Sequence, residues 1–132
     1  MILDEAINFI LQTIESHPDS EIVPIEKSCG RFLAETLSSH DDIPPFDNSQ
    51  VDGYAVNSEY IKLNSPVIIS QRIPAGSNPK ELDRSTTARI FTGAVVPKGS
   101  DAVVMQEQGD IENGKALFKK MIFPGQFIRR KG

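Results

Sequence analysis

With 132 residues, of which 39% are apolar, the chain is long enough for one domain or two small lobes around a buried core. Its 14 basic and 18 acidic residues give a net charge of −4, which argues against a general nucleic-acid binder. The single cysteine, Cys29, excludes an internal disulfide, and no apolar run approaches a membrane span. The N-terminus lacks the features of a secretory signal, so we expect a cytoplasmic protein with no membrane or nucleic-acid partner.

Residues 2–16 have the apolar spacing of an amphipathic helix. Apolar side chains recur at three- and four-residue steps, at Leu3, Ile7, Ile10 and Ile14. Asp4 and Glu5 occupy the first turn, where the helix dipole favours acids, and Pro18 is predicted to end the helix after His17. The apolar stripe needs a packing partner, which we expect outside this chain.

The segment after this helix changes period. EIVPIEKSCGRFLAETLSS holds Pro24 and Gly30 and predicts a strand, a turn, and then a short strand or helix. From Val51 onward strand-like runs dominate, namely VDGYAV, PVIISQRI, ARIFTG, DAVVMQE and KALFKK. Asn113-Gly114 predicts a β-hairpin before the last of them. The sequence therefore predicts a mainly β fold with one N-terminal α-helix, an α+β class.

The loop IPPFDNSQVDGYAV, at residues 43–56, is dense in turn-forming and acidic residues. Asp47-Asn48-Ser49 can fold its side chains back on its own backbone in an Asx-type turn. Asp52-Gly53 has two interpretations. It is either a hairpin turn in which glycine supplies a positive φ, the more frequent case, or a carboxylate at the mouth of a strand whose glycine lets a ligand approach the backbone.

A second dense stretch is ARIFTGAVVPKGSDAVV. A strand from Ala88 to Phe91 is predicted to end at Thr92-Gly93, which can present a hydroxyl and free backbone N–H groups to an anion. The alternative is an ordinary strand end, where threonine caps the strand and glycine relieves backbone strain.

Other polar residues are weaker candidates. Glu107 could bind a cation or be solvated, and His17 and His40 lie too far apart in sequence to predict a zinc site. Ser49 lacks the surroundings of a serine nucleophile. Three basic residues near the C-terminus could bind phosphate or simply be solvated, namely Arg129, Arg130 and Lys131.

Taken in order, four stretches of the chain resemble one family. PPFDNSQVDGYAV, RIPAG, ARIFTGAVVPKGSDAVVMQE and PGQFIRRKG are similar to the N-terminal half of the molybdopterin molybdenumtransferases, the MoeA and gephyrin E-domain family. The family's loop usually reads PPFDNSAMDGYA, from which this chain departs only at Gln50 and Val51. The second block matches from Arg89 to Glu107, and the resemblance covers nearly the whole chain.

The resemblance implies a late step of molybdenum cofactor biosynthesis. Such transferases accept adenylylated molybdopterin, insert molybdenum from molybdate and release AMP, with Mg2+ assisting. Asp52 and Thr92 match the family's catalytic aspartate and threonine. The substrate site implied beside them comprises Asp47, Asn48, Ser49, Gly53 and Gly93. No metal ligand within this chain is assigned.

The resemblance also implies an organisation and partners. Residues 1–19 would form the helix, 20–42 and 124–132 an elongated linker-like lobe, and 43–123 a β-rich lobe. The full-length enzyme would be a homodimer, with molybdopterin adenylyltransferase as its upstream partner, and this fragment would be inactive alone. The alternative is a non-catalytic dimerisation or scaffold module of the same fold.

Overall fold

The computed structural model describes residues 2–14 and 19–132, in two compact units, Met1–Ser38 and Ser39–Gly132. Within the described ranges, no helix is long and apolar enough to cross a membrane. The division into a helix, an elongated lobe and a β-rich lobe stays a prediction.

The first unit contains the helix α1, Leu3–Thr13, which confirms the predicted amphipathic helix. The Ile2 N–H donates to the Glu5 carboxylate at 3.0 Å, so one unpaired amide of the first turn finds an acceptor. None of its side chains is buried. The helix ends at Thr13 and Ile14 is extended, so it is shorter than the predicted span of residues 2–16. The predicted stop at His17 and Pro18 lies outside the described residues.

The segment after α1 forms neither a strand nor an α-helix. Between residues 20 and 39 the only regular element is one 3-10 turn, Ile25–Lys27. The predictions of a strand before the turn and of a strand or helix after it were wrong. Ile22 and Phe32 are fully exposed, so these apolar side chains gain no burial that would stabilise a strand or a helix.

The second unit is a β structure of eight strands. These are β1 Asn48–Ser49, β2 Gly53–Val56, β3 Val67–Ile73, β4 Thr87–Ile90, β5 Ala102–Met105, β6 Gly109–Glu112, β7 Lys115–Phe118 and β8 Ile128–Arg129. Six strands form one sheet in the order β5-β2-β4-β3-β7-β6, and β1 pairs with β8. Every pair is antiparallel except β3 with β4. The mainly β fold with one N-terminal helix is therefore confirmed.

The six-stranded sheet is curled. Its edge strands β5 and β6 would lie about 24 Å apart in a flat sheet, since neighbouring strands are about 4.8 Å apart. Yet only Gln106–Gln108 connects them, and the step from Met105 to Gly109 reaches at most about 14 Å. Gly109 accordingly lies against the ring of Tyr54 on β2, near the other edge of the sheet.

The side chains of β2 and β5 alternate between two apolar clusters. One cluster holds Tyr54, Val56, Ile61, Val67, Ala102, Val104, Ala116 and Phe118. The other holds Ala55, Ile73, Leu82, Ala88, Ile90, Ala94, Val103 and Ile128. Because these strands are covered on both faces, the loop that leads into β2 is anchored on the most buried part of the sheet.

The predicted hairpin at Asn113-Gly114 is confirmed. It joins β6 to β7, and Glu112 faces Lys115 across it. Both turn residues have positive φ, 50° at Asn113 and 74° at Gly114, as a two-residue hairpin turn of the favoured hand requires.

Gly53 is not a turn residue, so the interpretation of Asp52-Gly53 as a hairpin turn was wrong. Gly53 is the first residue of β2 and pairs with Met105 of β5. A Cβ on Gly53 would clash with the carbonyl oxygen of Val104. Glycine is required there because a neighbouring strand, rather than a ligand, approaches its backbone closely.

We predict that Gly53→Ala destabilises the fold far more than Gly76→Ala. The first substitution forces two strands apart and should lower the free energy of unfolding by about 3 kcal/mol, the upper part of the range for overpacking. Gly76, with φ of 80° and open space around it, should cost about 1 kcal/mol for backbone strain alone. Denaturant unfolding of both variants measures the difference, and equal losses would contradict the close-approach explanation.

Candidate functional site

The two motif loops meet at one end of the sheet through Asp52 and Thr92. Gly53 of β2 faces Ile90 of β4 in the antiparallel register, so the residue before β2 and the residues after β4 lie side by side. The Thr92 backbone N–H and its hydroxyl both donate to Oδ1 of Asp52, at 2.8 and 2.7 Å. The two residues predicted to be catalytic, 40 positions apart in sequence, are thus in direct contact.

Asp52 is held as a carboxylate. The hydrogen bond from the backbone N–H of Thr92 lowers the pKa of Asp52 most, and the one from its hydroxyl adds to this. Partial desolvation opposes them, and the charge of Arg89, the smallest of the four effects, lowers the pKa slightly further. The second oxygen, Oδ2, accepts no hydrogen bond from the part of the chain that the structure describes. A partly exposed anion with one oxygen fixed and one open is the result.

Three residues predicted to bind substrate join the same two loops. Gly93, with φ of 79°, donates its N–H to the Ser49 carbonyl at 2.8 Å. The Ser49 N–H donates to the Ala94 carbonyl at 2.9 Å, and the Asn48 side-chain amide donates to the Gly93 carbonyl at 3.0 Å. These contacts lock the turn after β4 onto β1, which fixes where Thr92 stands.

The same contacts overturn the expectation of free amides at this turn. The N–H groups of Thr92, Gly93 and Ala94 donate to Asp52, Ser49 and the Phe91 carbonyl respectively. The turn therefore presents no anion-binding nest of amides. The Thr92 hydroxyl proton, too, is directed at Asp52.

The predicted Asx-type turn at Asp47-Asn48-Ser49 was wrong for two of its three residues. Only Ser49 bonds locally, since its hydroxyl donates to the Val51 carbonyl at 2.6 Å. Asn48 reaches Gly93, and Asp47 reaches the C-terminal segment. The side chains of Asp47 and Asn48 therefore make long-range contacts in place of a local turn.

Asp47 fastens the end of the chain rather than joining Asp52. Its carboxylate accepts the Lys131 N–H at 2.9 Å and the Arg130 guanidinium at 2.6 Å, and both hydrogen bonds lower the pKa of Asp47, the first most. The Lys131 ammonium in turn pairs with Asp42 at 2.8 Å, which raises the pKa of Lys131. Two of the three terminal basic residues are thus paired with acids.

Sequence reasoning missed two residues of this site, Arg89 and Gln106. Arg89 donates to the Gly53 carbonyl at 3.1 Å and to Oε1 of Gln106 at 2.5 Å, and the Gln106 N–H donates to the Asp52 carbonyl at 3.0 Å. The available signal was an arginine inside the apolar strand ARIF, which requires polar partners within reach.

The carboxylates near the site do not form a metal cage. Within residues 2–14 and 19–132, no three His, Cys, Asp or Glu side chains are grouped as metal ligands. Glu107 accepts a hydrogen bond from Gln106 at 3.0 Å. Asp52 alone still suits Mg2+, which proteins often hold by one or two carboxylates together with substrate phosphates.

Comparisons with known proteins agree with the sequence motifs. The chain matches the family described as the MoeA N-terminal region (domain I and II) over residues 1–132. A molybdopterin molybdenumtransferase from Nostoc sp. is 41% identical over 92% of this chain and 29% of its own length. One from Haemophilus influenzae is 35% identical over 100% of this chain and 33% of its own length. The chain spans about a third of the relatives it matches.

Solved structures give the same picture. A crystal structure of the molybdopterin biosynthesis MoeA protein from Pyrococcus horikoshii has a TM-score of 0.77 and 34% identity, and covers 98% of this chain and 36% of that one. A second structure, also described as a molybdopterin biosynthesis MoeA protein from Pyrococcus horikoshii, has a TM-score of 0.71 and 37% identity, and covers 100% of this chain and 35% of that one. The resemblance and the fold that it implied are confirmed.

We predict that Thr92→Val raises the pKa of Asp52 toward its ordinary value, whereas Thr92→Ser leaves it low. Valine removes the hydroxyl donor and keeps the backbone N–H, and serine keeps both donors. Carboxyl carbon shifts followed by NMR during a pH titration measure this change. Identical midpoints in the two variants would contradict the hydroxyl's contribution.

The same titration has a consequence for stability. The pKa of Asp52 is lower in the folded protein than in the unfolded chain, so the ionised carboxylate stabilises the fold. This stabilisation is complete at pH values above the pKa of the unfolded chain, and it is lost as the pH falls through the pKa of the folded protein. Thr92→Val should therefore narrow the stability difference between neutral and acid pH. Unfolding curves at several pH values test the sign.

We predict that Asp47→Ala frees the C-terminal segment, with about tenfold faster amide exchange at Lys131 because a charge-assisted hydrogen bond is lost. The matched control is Asp110→Ala, which removes an exposed ion pair with Lys119 that should stabilise little. Hydrogen exchange by NMR measures both. Unchanged exchange at Lys131 in Asp47→Ala would refute the clamp.

Proposed function

The chain belongs to the family of the MoeA N-terminal region, and from this premise we propose that it forms the N-terminal part of a molybdenum insertase. The enzyme would transfer molybdenum from molybdate to adenylylated molybdopterin and release AMP, as a step of molybdenum cofactor biosynthesis. The names of its relatives, molybdopterin molybdenumtransferases, support this reaction class.

One observation carries the proposal for this chain's own residues. Asp52 and Thr92, which match the family's catalytic aspartate and threonine, form a hydrogen-bonded pair at an exposed end of the sheet. The Asp83–Ser85 pair has the same two donors within one local turn, whereas the Asp52–Thr92 pair joins two motif loops that lie 40 positions apart in sequence. The pair suits a site that must present a fixed negative charge to a ligand.

The open oxygen of Asp52 defines the role we assign to it. The linkage to be cleaved in adenylylated molybdopterin is a phosphoanhydride, which is itself anionic and would repel a bare carboxylate. A bound Mg2+ would supply charge neutralisation between the two, with Oδ2 of Asp52 as its ligand from this chain. Thr92 would hold Asp52 ionised and oriented through its N–H and hydroxyl.

The neighbouring residues would shape the wall of the substrate site. Asn48, Ser49 and Gly93 fix the turn that carries Thr92, and Gly53 lets β2 pack close to β5 so that Asp52 stands at the strand mouth. Asp47 would act indirectly, because it ties the C-terminal segment to this loop.

The remaining parts of the proposed enzyme would come from sequence that this chain does not include, since its relatives are about three times as long. We propose a homodimer in which this region faces the pterin-binding domain of the other subunit. The upstream partner would be molybdopterin adenylyltransferase, whose product is the substrate. The assembly would be cytoplasmic.

A second candidate function is a non-catalytic dimerisation or scaffold module. The exposed apolar side chains of α1 favour it, since Leu3 is 75% exposed and Leu11 is 62% exposed. This candidate gives no reason for the Asp52–Thr92 pair, and the experiment below separates the two.

We predict that a chimera is active when this chain replaces the matching third of the Haemophilus influenzae relative. Purified chimera should release AMP from adenylylated molybdopterin in the presence of molybdate and Mg2+. Asp52→Asn in the chimera should slow AMP release by about 100-fold, as expected for loss of a group that stabilises transition-state charge.

The matched control is Asp83→Asn. Asp83 also accepts hydrogen bonds from a nearby residue, Ser85, which lower its pKa, but it lies in another loop. Asp83→Asn should change the rate of AMP release by the chimera less than about twofold. A chimera that folds and dimerises but releases no AMP would favour the scaffold, and full activity of Asp52→Asn would remove Asp52 from the mechanism.

A further inference from the structure

Two arginines lie side by side on the sheet, close to the turn that carries Thr92. Arg72 of β3 and Arg89 of β4 are partners in the parallel register, so their side chains leave neighbouring strands on the same side of the sheet. The guanidinium carbon of each lies 4.6 Å from the ring centroid of Phe91, the residue before Thr92. Because both carbons are measured from the same centroid, they are at most about 9 Å apart.

The positive charge of this pair has no acidic partner in the part of the chain that the structure describes, since neither arginine forms a salt bridge there. Two acids at the same end of the sheet, Asp52 and Glu107, accept hydrogen bonds from Thr92 and Gln106 instead. Like charges on adjacent strands repel each other and destabilise a sheet. A bound anion would remove this cost.

Both guanidinium groups keep donors for such an anion. Arg89 uses one N–H on the Gly53 carbonyl and one on Oε1 of Gln106, and its other N–H groups stay available. Arg72 is exposed, and its side chain donates no hydrogen bond to the described residues. Stacking on Phe91 orders both groups without using their N–H donors.

A third stacked arginine, Arg84, provides a comparison. Its guanidinium carbon is 5.3 Å from the centroid of Tyr60, and it donates to the Tyr60 hydroxyl at 3.0 Å. Among the described residues, Tyr60 carries one guanidinium, whereas Phe91 carries two. Arg84 precedes β4 and Phe91 follows it, so the two stacks are at opposite ends of that strand. Stacking is therefore common to the three arginines, and the paired charge is not.

We propose that Arg72 and Arg89 form a subsite for a diphosphate group, with Phe91 as its platform. A diphosphate carries oxygens on two phosphorus atoms, so each planar guanidinium can donate to one of the two phosphates. The assignment of this group to the phosphoanhydride of adenylylated molybdopterin rests on the proposed function. The arginines and a Mg2+ on Asp52 would then neutralise the same linkage from two directions.

The test is a titration of the 132-residue chain with pyrophosphate, in which NMR follows the Nε–H signals of the arginine side chains. We expect saturable shifts at Arg72 and Arg89 and no shift at Arg84. Arg72→Gln should raise the Kd for pyrophosphate about tenfold, the loss of one charge-assisted hydrogen bond. The matched control, Arg84→Gln, removes an equal charge from a stacked arginine and should leave the Kd at the parent value.

Arg72→Gln decides the matter even where Arg89→Gln fails to fold, because Arg72 makes no hydrogen bond that the fold would lose. An unchanged Kd in Arg72→Gln, or equal losses in Arg72→Gln and Arg84→Gln, would overturn the proposal. Molybdate is the other tetrahedral oxyanion of the proposed reaction and is titrated in parallel. Tighter binding of molybdate than of pyrophosphate would overturn the assignment to a diphosphate.

Kinetics of the chimera extend the test to the proposed function. Arg72→Gln should raise the KM for adenylylated molybdopterin about tenfold and change kcat little, as expected for loss of a contact made equally in the ground state and the transition state. A folded parent chimera that releases no AMP would count against the proposed function, while the pyrophosphate titration still decides the subsite. An active chimera whose KM is the same in Arg72→Gln would refute the subsite alone.

Discussion

The two hydrogen bonds from Thr92 to one oxygen of Asp52 are the interaction around which this end of the sheet is organised. Two donors from one residue, a backbone N–H and a hydroxyl, converge on Oδ1 and leave Oδ2 open. For this to occur, the residue before β2 and the turn after β4 must arrive at the same place. The close approach of β5 at Gly53 and the lock between Gly93 and Ser49 supply that placement. Stability of the buried strands is thereby coupled to the geometry of an exposed charge.

Most of the fold could be predicted from sequence because its signals are local. The helix has its apolar spacing, the long strands have their β-branched runs, and Asn113-Gly114 has the chemistry of one turn type. The parts of the fold that could not be predicted have no local signal in the sequence. β1 and β8 are two residues each and pair across the length of the unit, so no periodicity marks them. The segment from 20 to 39 has apolar residues without a partner, and pattern alone cannot distinguish these from strand residues.

The sequence predicted most of the residues that form the site, but not the hydrogen bonds that join them. Asp52 and Thr92 were found through the motifs, and the structure joins them. The local interpretations of Asp47 and Asn48 were wrong because their partners are distant in sequence, at the C-terminus and after β4. Asp-Gly most often forms a turn, and that interpretation of Gly53 was wrong because the close approach of a neighbouring strand requires the glycine here. Such requirements are set by pairing between strands, which a single sequence does not display.

The central claim is that Asp52 and Thr92 form one hydrogen-bonded unit in which the aspartate is charged. The most direct measurement is the amide proton shift of Thr92 in the unsubstituted chain, followed by NMR from neutral to strongly acid pH. The account predicts that this proton titrates with a single midpoint that lies below the ordinary pKa of an aspartate and coincides with the midpoint of the Asp52 carboxyl carbon. A Thr92 amide shift that stays flat while the Asp52 carboxyl titrates would show that the two residues are not bonded.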